Sequence, residues 1–275
     1  MTTDITIRRL ATTADYAAAE ELQQVAWESG PIEAVPSHLM VTLQHEGGLV
    51  LGAFLPAGLL VGFVLGFLGR DAAGLKHCSH MAATHPAYRG HNIAYRLKLA
   101  QRAILLDEEG PALCTWTCDP LLYPNATLNL SKLGAISRVY RRNIYGLMRD
   151  GLNSDLPTDR LYMRWEVTGE RAAHCAAGGR IGLPVAATLL TEVAFDNGVP
   201  ILTATRPLPA APIPVGIQIP RDFLAVKRAV PAAALAWRMA TRALFEAAFA
   251  AGYTAVNFTP DGDGLGRYTL EASWT

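Results

Sequence analysis

Charge is scarce in this sequence. Asp, Glu, Lys and Arg supply 17% of its 275 residues, against about 25% in an average soluble chain, and 24 basic side chains cancel 24 acidic ones. With no net field there is nothing to hold a nucleic acid or an anionic membrane by bulk electrostatics, and neither is an expected partner. So thin a surface charge suits a chain partly covered by another subunit, and a homodimer is among the expected arrangements. Cysteine is also sparse: Cys78, Cys114, Cys118 and Cys175, with no CxxC pair. That excludes a disulfide scaffold and points to free thiols in a reducing, cytoplasmic compartment. Cys114 and Cys118 share one face of a strand, but no second His/Cys pair stands near them, and no metal is expected. The opening MTTDITIRRL has an early acid and no apolar core, so it does not read as a secretory leader. A dinucleotide GxGxxG, a Walker loop, HExxH and GxSxG are all missing.

Apolar residues are abundant at 51%, which excludes disorder and supports a large core. The length allows one large domain or two. From Gly47 to Gly69 no residue is charged, and that span is long enough to cross a bilayer. Its seven glycines and the central Pro56 punctuate strands rather than a helix, so the run predicts two buried strands, about 48–55 and 59–68, joined by a tight turn.

Helices are predicted from about Tyr16 to Trp27, capped by Asp15, and from about His38 to His45, capped by Ser37. LKHCSHMAATHP reads as a third strand ended by Pro86. A long helix follows from about Asn92 to Asp107, with Ile93, Leu97, Ala100 and Ile104 on one face. ALCTWTCDP is a strand stopped at Asp119-Pro120. A short helix over 126–132, stopped by Gly134, and strands over 136–142 and 160–167 complete a first module, 1–168. Residues 169–275 form a second α+β module. Asp196-Asn197-Gly198 makes a hairpin between TEVAF and VPILT. The strand VGIQI, a helix from about Ala232 to Ala251, and the strands TAVNFT and GRYTLEA follow. The late helix has stripes at Trp237, Leu244 and Ala248 and at Phe245 and Phe249, more than three short strands can cover, so this module is expected to pack on the first or on a second subunit.

Chemistry concentrates between the third strand and the long helix, at Pro86-Ala87-Tyr88-Arg89-Gly90-His91-Asn92-Ile93-Ala94. A tight turn opening a helix brings several backbone N–H groups and the positive end of a helix dipole to one point, an arrangement that holds phosphate. Gly90 and Ala94 let an anion approach the backbone, and Arg89 adds a positive charge.

This segment resembles the Q/R-x-x-G-x-G/A turn of the GNAT acyltransferase superfamily. Arg89 matches its first position and Ala94 its last. Asn92 replaces the central glycine, and Asn is the side chain that best tolerates left-handed backbone. Downstream, Asn125 and LNLSKLGA are similar to that superfamily's N-x-x-A-x-x-L-Y-x-K-L-G-F, with Leu130 at the tyrosine position. TWTCDPL, NLSKLGA and NIYG resemble a predicted-acetyltransferase branch, some members of which are associated with N-succinylamino acid metabolism.

The resemblance implies an α/β (α+β) fold: a GNAT-type mixed, mostly antiparallel sheet flanked by helices, with a second, smaller module. It implies acetyl-CoA or another acyl-CoA as cosubstrate, no metal, and a small amine or amino acid as acceptor. Pyrophosphate would lie on Arg89, Gly90, His91, Asn92, Ile93 and Ala94, with Asn125 also toward the cofactor. The strand before the turn would part from the next strand to admit pantetheine, with a backbone N–H among Ala82, Ala83 and Thr84 polarising the thioester. The base position offers His77, Ser79 and His80; His80 suits it, and its other reading is a structural histidine bonded to a carbonyl. Asp119 would bind the substrate ammonium or orient His80, or else simply start a turn. Tyr145 is preferred over Tyr123 and Tyr140 as the acid. Arg138, Arg141 and Arg142 read as a solvated face or as contacts to the 3′-phosphate. The alternative function is an acyl-CoA-binding, regulatory protein of weak activity.

Overall fold

A computed structural model describes residues 4–28, 30, 33–146, 148, 155–182, 187–262 and 264–272. They divide into two compact units. The first holds the chain through Trp116 together with Glu166–Gly169; the second holds Thr117–Met148, Asp155–Trp165 and the chain from Glu170 onward. The chain passes into the second unit at 116/117 and again at 169/170, and the second unit is the larger one.

In the first unit the strand order is β1 (Thr6–Arg9), β2 (Leu49–Phe54), β3 (Leu60–Asp71), β4 (Gly74–Thr84) and β5 (Leu113–Cys118, through Trp116 in this unit). The first four pair antiparallel and β5 joins β4 in parallel. The charge-free run is β2 and β3, and it is buried on both faces. Val64 of β3 and Leu49, Leu51 and Ala53 of β2 face α3 (Ile93–Asp107), packing near Ile93 and Leu97. Phe63 and Leu65 of β3, with Val50 of β2, meet Tyr16, Leu22 and Met40 of α1 (Thr13–Trp27) and α2 (Ser37–His45). The glycines serve close packing. A Cβ on Gly62 would stand 2.6 Å from Cγ2 of Ile93, so its absence lets α3 settle on β3. No helix among the described residues is long and apolar enough to cross a membrane.

Both N-caps shift by a few residues. Thr12 caps α1 and Asp15 is the N3 partner of a reciprocal capping box. Asp15 also accepts two hydrogen bonds from Arg8, which hold its carboxyl well below the usual range. Ser37 lies inside α2, where its N–H and hydroxyl both donate to Glu20.

The second unit continues from β5 into α4 (Tyr123–Ala126) and a π-helical turn, Thr127–Lys132, ended at Gly134 with φ +71°. Its strands are β6 (Ile136–Arg141), β7 (Arg160–Glu166), β8 (Thr188–Leu189), β9 (Thr191–Asp196), β10 (Val199–Thr205), β11 (Val215–Pro220), β12 (Tyr253–Pro260) and β13 (Leu265–Ala272). One sheet runs β7-β6-β12-β13-β11-β8, and β9 with β10 forms a separate hairpin. Asn197 and Gly198 both have positive φ there, as a two-residue hairpin turn requires. Helices α5 (Glu170–Ala176), α6 (Phe223–Ala229) and α7 (Pro231–Ala250) complete it; the sequence reading has no counterpart for α5 or α6. The broad apolar face of α7 is covered inside this unit. Trp237 Nε1 donates to the Pro200 carbonyl at 3.0 Å, and Phe245 meets Tyr268 edge-on at 5.1 Å.

Candidate functional site

The site begins with a defect in β4. Along β3 the register runs Leu65↔Met81 and then Phe67↔Cys78, so Ser79 and His80 together oppose the single residue Gly66. This is a β-bulge, and it breaks side-chain alternation. Met81 packs with the α1-side core, and Phe67, of the same parity on β3 as Phe63 and Leu65, touches the ring of His80 at 5.9 Å. His80 and Met81 are consecutive yet face the same side. Gly66 permits the bulge, since a Cβ there would stand 2.1 Å from Nε2 of His77.

The bulge follows directly on the stretch of β4 that pairs with β5. Within the first unit β4 pairs with β5 at His77↔Cys114 and Cys78↔Thr115, and β4 continues to Thr84. Hydrogen bonding then decides which of its amides face away from β3. His85 N–H donates to Val61 O at 2.9 Å. Counting back along the register, Ala83 and Met81 also point at β3, while Ala82 and Thr84 point away from it. Of the three residues expected to polarise a thioester, Ala82 and Thr84 are therefore suitably directed and Ala83 is not.

Beyond Thr84 the chain makes a 3₁₀ turn, Pro86–Tyr88, and enters α3 through Arg89–Asn92. Gly90 has φ +86° with open space where a Cβ would be. Asn92 has φ +58°, the left-handed geometry its position in the motif calls for, and its side chain does not cap the helix. The N–H groups of Ile93 and Ala94 thus open a 15-residue helix with no side-chain cap. His91 is exposed, its Nδ1 3.2 Å from both the Tyr88 and Arg89 carbonyls. Arg89 is not a freely directed charge. Its Nη2 donates to the Ala26 carbonyl at 2.9 Å, tying the turn to the last turn of α1.

His80 is exposed on its strand, yet crowding by neighbouring atoms desolvates the ring and lowers its pKa below the ordinary 6.5. The shift favours the neutral imidazole. His77 lies on the opposite, α3 side and is 4% exposed. Burial first, then the nearby Lys98 ammonium, pull its pKa down to about 4. Gln101 Nε2 donates to its Nε2 at 3.0 Å. The neighbouring Lys98 is also buried, with Nζ 2.6 Å from Ser79 Oγ and 3.9 Å from the centre of the Trp116 ring. Sequence reading passes over Lys98 and Gln101, although their spacing of three places both on one flank of the α3 stripe.

The remaining candidates lie in the second unit. Asp119 is engaged by arginines rather than by a histidine. It is sealed in a two-bond ion pair with Arg238, at 2.9 and 2.6 Å, with Arg160 3.6 Å away. Burial alone would raise its pKa, but the arginines outweigh that and hold it low. Its Oδ1 also accepts from the Leu121 N–H at 2.8 Å, the geometry of a turn that starts at Asp119. Tyr145 is exposed, its hydroxyl 2.7 Å from Thr117 Oγ1 and Arg160 5.5 Å from its ring centre. Tyr140 donates to Asp159 at 2.9 Å, and burial first raises its pKa. Asn125 sits in α4, its N–H bonded to the Leu122 carbonyl. Arg142 pairs with Glu246 and Arg138 donates to Thr254 Oγ1 at 2.8 Å. Among the described residues no group of three His, Cys, Asp or Glu could hold a metal.

No family model matches this sequence, and no curated protein does. Solved structures do. This chain is similar to GNAT-family acetyltransferases. One is the NatC complex bound to Gag peptide and CoA, at 14% identity, 60% of this chain, 99% of that chain and a TM-score of 0.49. Another is the ribosomal-protein-S18-alanine N-acetyltransferase from Escherichia coli, at 21%, 61%, 97% and 0.46. A phosphinothricin acetyltransferase from Sinorhizobium meliloti, in complex with AcCoA, stands at 17%, 60%, 88% and 0.46.

Proposed function

We propose that this chain is an acyl-CoA-dependent N-acyltransferase of the GNAT type, moving an acetyl or succinyl group to a small amine such as an amino acid. The observation that carries this reading is one continuous stretch, Ser79 to Ala94. A bulged strand turns the amides of Ala82 and Thr84 away from β3 and runs into a helix start with no side-chain cap. Pantetheine has the reach and the amide pattern to lie along β4 as an added strand. Its pyrophosphate then meets Gly90 to Ala94.

In the reaction, the neutral amine attacks the thioester carbonyl. The amides of Ala82 and Thr84 donate to the oxygen as it gains negative charge. His80 takes the proton lost by the amine nitrogen, directly or through one water. The C–S bond then breaks and the coenzyme leaves as a thiolate. That leaving group is stable enough to need little acid, and no residue outside the first unit is required.

The test is a coenzyme A-release assay with acetyl-CoA and succinyl-CoA over a panel of amino acids and small amines. Turnover with at least one pair is expected. Coenzyme binding with no turnover across the panel would favour the regulatory alternative, and no binding would reject the acyl-CoA reading.

A further inference from the structure

The turn that opens α3 carries one arginine, and its guanidinium is engaged by the end of a different helix. Arg89 Nη2 donates to the Ala26 carbonyl at 2.9 Å, across 63 positions of sequence. Ala26 is buried in the last turn of α1. A helix ends on carbonyls that no later turn can satisfy, and the negative end of its dipole gathers there. The Gln24 carbonyl accepts from the Glu28 N–H, but α1 has no basic side chain in its last turn to serve the others. Trp27, in the same turn, packs edge-on against Phe63 of β3 at 6.4 Å. On the far side of Arg89, α3 starts with no side-chain cap. One residue therefore ties the negative end of α1 to the turn before the positive end of α3, and anion binding at that turn falls to backbone N–H groups.

We infer that Arg89 is a positioning residue and not a phosphate ligand: it fixes the 89–94 turn against α1, and it makes the last turn of α1 respond to whatever occupies that turn. A ligand that orders the turn orders the end of α1 in the same step, and order at α1 favours the ligand in return. Since α1 packs on the face of the sheet that carries His80, the tie joins the seat of the coenzyme to the side of the proposed base. That the ligand is an acyl-CoA rests on the function proposed above; the tie itself does not.

The test is amide hydrogen exchange on the full chain, comparing the parent with Arg89→Met, which keeps the stem and loses the donors, and with Arg89→Lys, which keeps a charged donor. Without any ligand, Arg89→Met should speed exchange at Val25, Ala26, Trp27 and Glu28 by about fivefold, the loss of one hydrogen bond that holds their turn. Arg89→Lys should restore most of that protection. Equal exchange in Arg89→Met and the parent would overturn the tie. Saturating coenzyme A is then added. In the parent it should slow exchange at Gly90 to Ala94 and also at Val25 to Glu28. In Arg89→Met it should still slow the first group and leave the second unmoved. Slowing of both groups in Arg89→Met would mean that the coupling takes another path, and loss of all coenzyme binding there would mean that the charge acts on the coenzyme directly; either result rejects the inference. If coenzyme A protects neither group in the parent while the ligand-free comparison holds, the acyl-CoA reading fails and the tie stands.

Discussion

Asp119 shows what a single residue's surroundings do to its chemistry. By type and by its place at the end of a strand, it is a natural partner for a substrate ammonium. Its actual partner is Arg238, 119 positions later, a pairing across distance that no local pattern reveals. Removing one member of a buried pair leaves the other charged and unsolvated. Asp119→Ala should therefore cost about 3–5 kcal/mol, read from urea unfolding. Asp119→Leu combined with Arg238→Met should recover most of that loss. His80 is the contrasting case, with its proton affinity lowered and its ring accessible. His80→Ala should cut kcat/KM by about 10²–10⁴-fold near neutral pH. Part of that loss should return at higher pH, where the amine deprotonates without help; a flat deficit across pH would remove His80 from the base role. At the turn, Ala94→Leu places a branched side chain beside the helix start, and calorimetric titration should find coenzyme A binding abolished while circular dichroism is unchanged.

At the level of elements, regular structure was largely legible and irregular structure was not. The glycine-rich run reads correctly as β2 and β3 because Gly and Pro densities argue against a spanning helix. The stripe of α3 is equally plain. The bulge in β4 is invisible in HCSHMAAT, since a bulge is the mismatch between two strands and belongs to neither sequence. Its trace lies on the partner strand, at Gly66. Gly66→Ala would drive a methyl into the His77 imidazole and Cys78 backbone. It should either unpair the bulge or shift His77, at a cost of about 1–3 kcal/mol in thermal or urea unfolding. Coenzyme binding should weaken in step. The N-caps were misplaced by a few residues because Thr12, Asp15 and Ser37 are all competent cap residues, and the choice among them rests on contacts with Arg8 and Glu20.

For the whole molecule, composition gives an expectation of two modules divided near 168. A boundary near 168 follows from the change to Ala-, Gly- and Pro-rich sequence; the contacts follow the ion pairs and the sheet order instead. A fragment ending at 168 keeps Asp119 and Asp159 but loses Arg238 and Arg242, which pair with them, and strips β12 from β6. It should aggregate, as sedimentation would reveal. The chain as a whole should also lose stability in mild acid. His77 has a folded pKa of about 4 against an ordinary 6.5. Between those values the unfolded chain takes up a proton that the folded chain refuses. Stability therefore falls as pH drops from 6.5 toward 4, by up to about 3 kcal/mol. His77→Gln should flatten that limb of the stability–pH curve.

The division inside β5 has a consequence for how the protein is made. Synthesis runs from the N-terminus, so the first unit cannot close when Trp116 emerges. It waits for Val167, whose N–H donates to Ala112 and whose carbonyl accepts from Arg102. By then Asp119 has also emerged, a carboxylate whose partner Arg238 has yet to be translated. For that interval the nascent chain holds an acid that must stay hydrated, so Thr117 to Trp165 cannot bury its core early. The expected order of events follows: the first unit is complete near residue 169, and the second unit condenses only once α7 and β13 have been delivered.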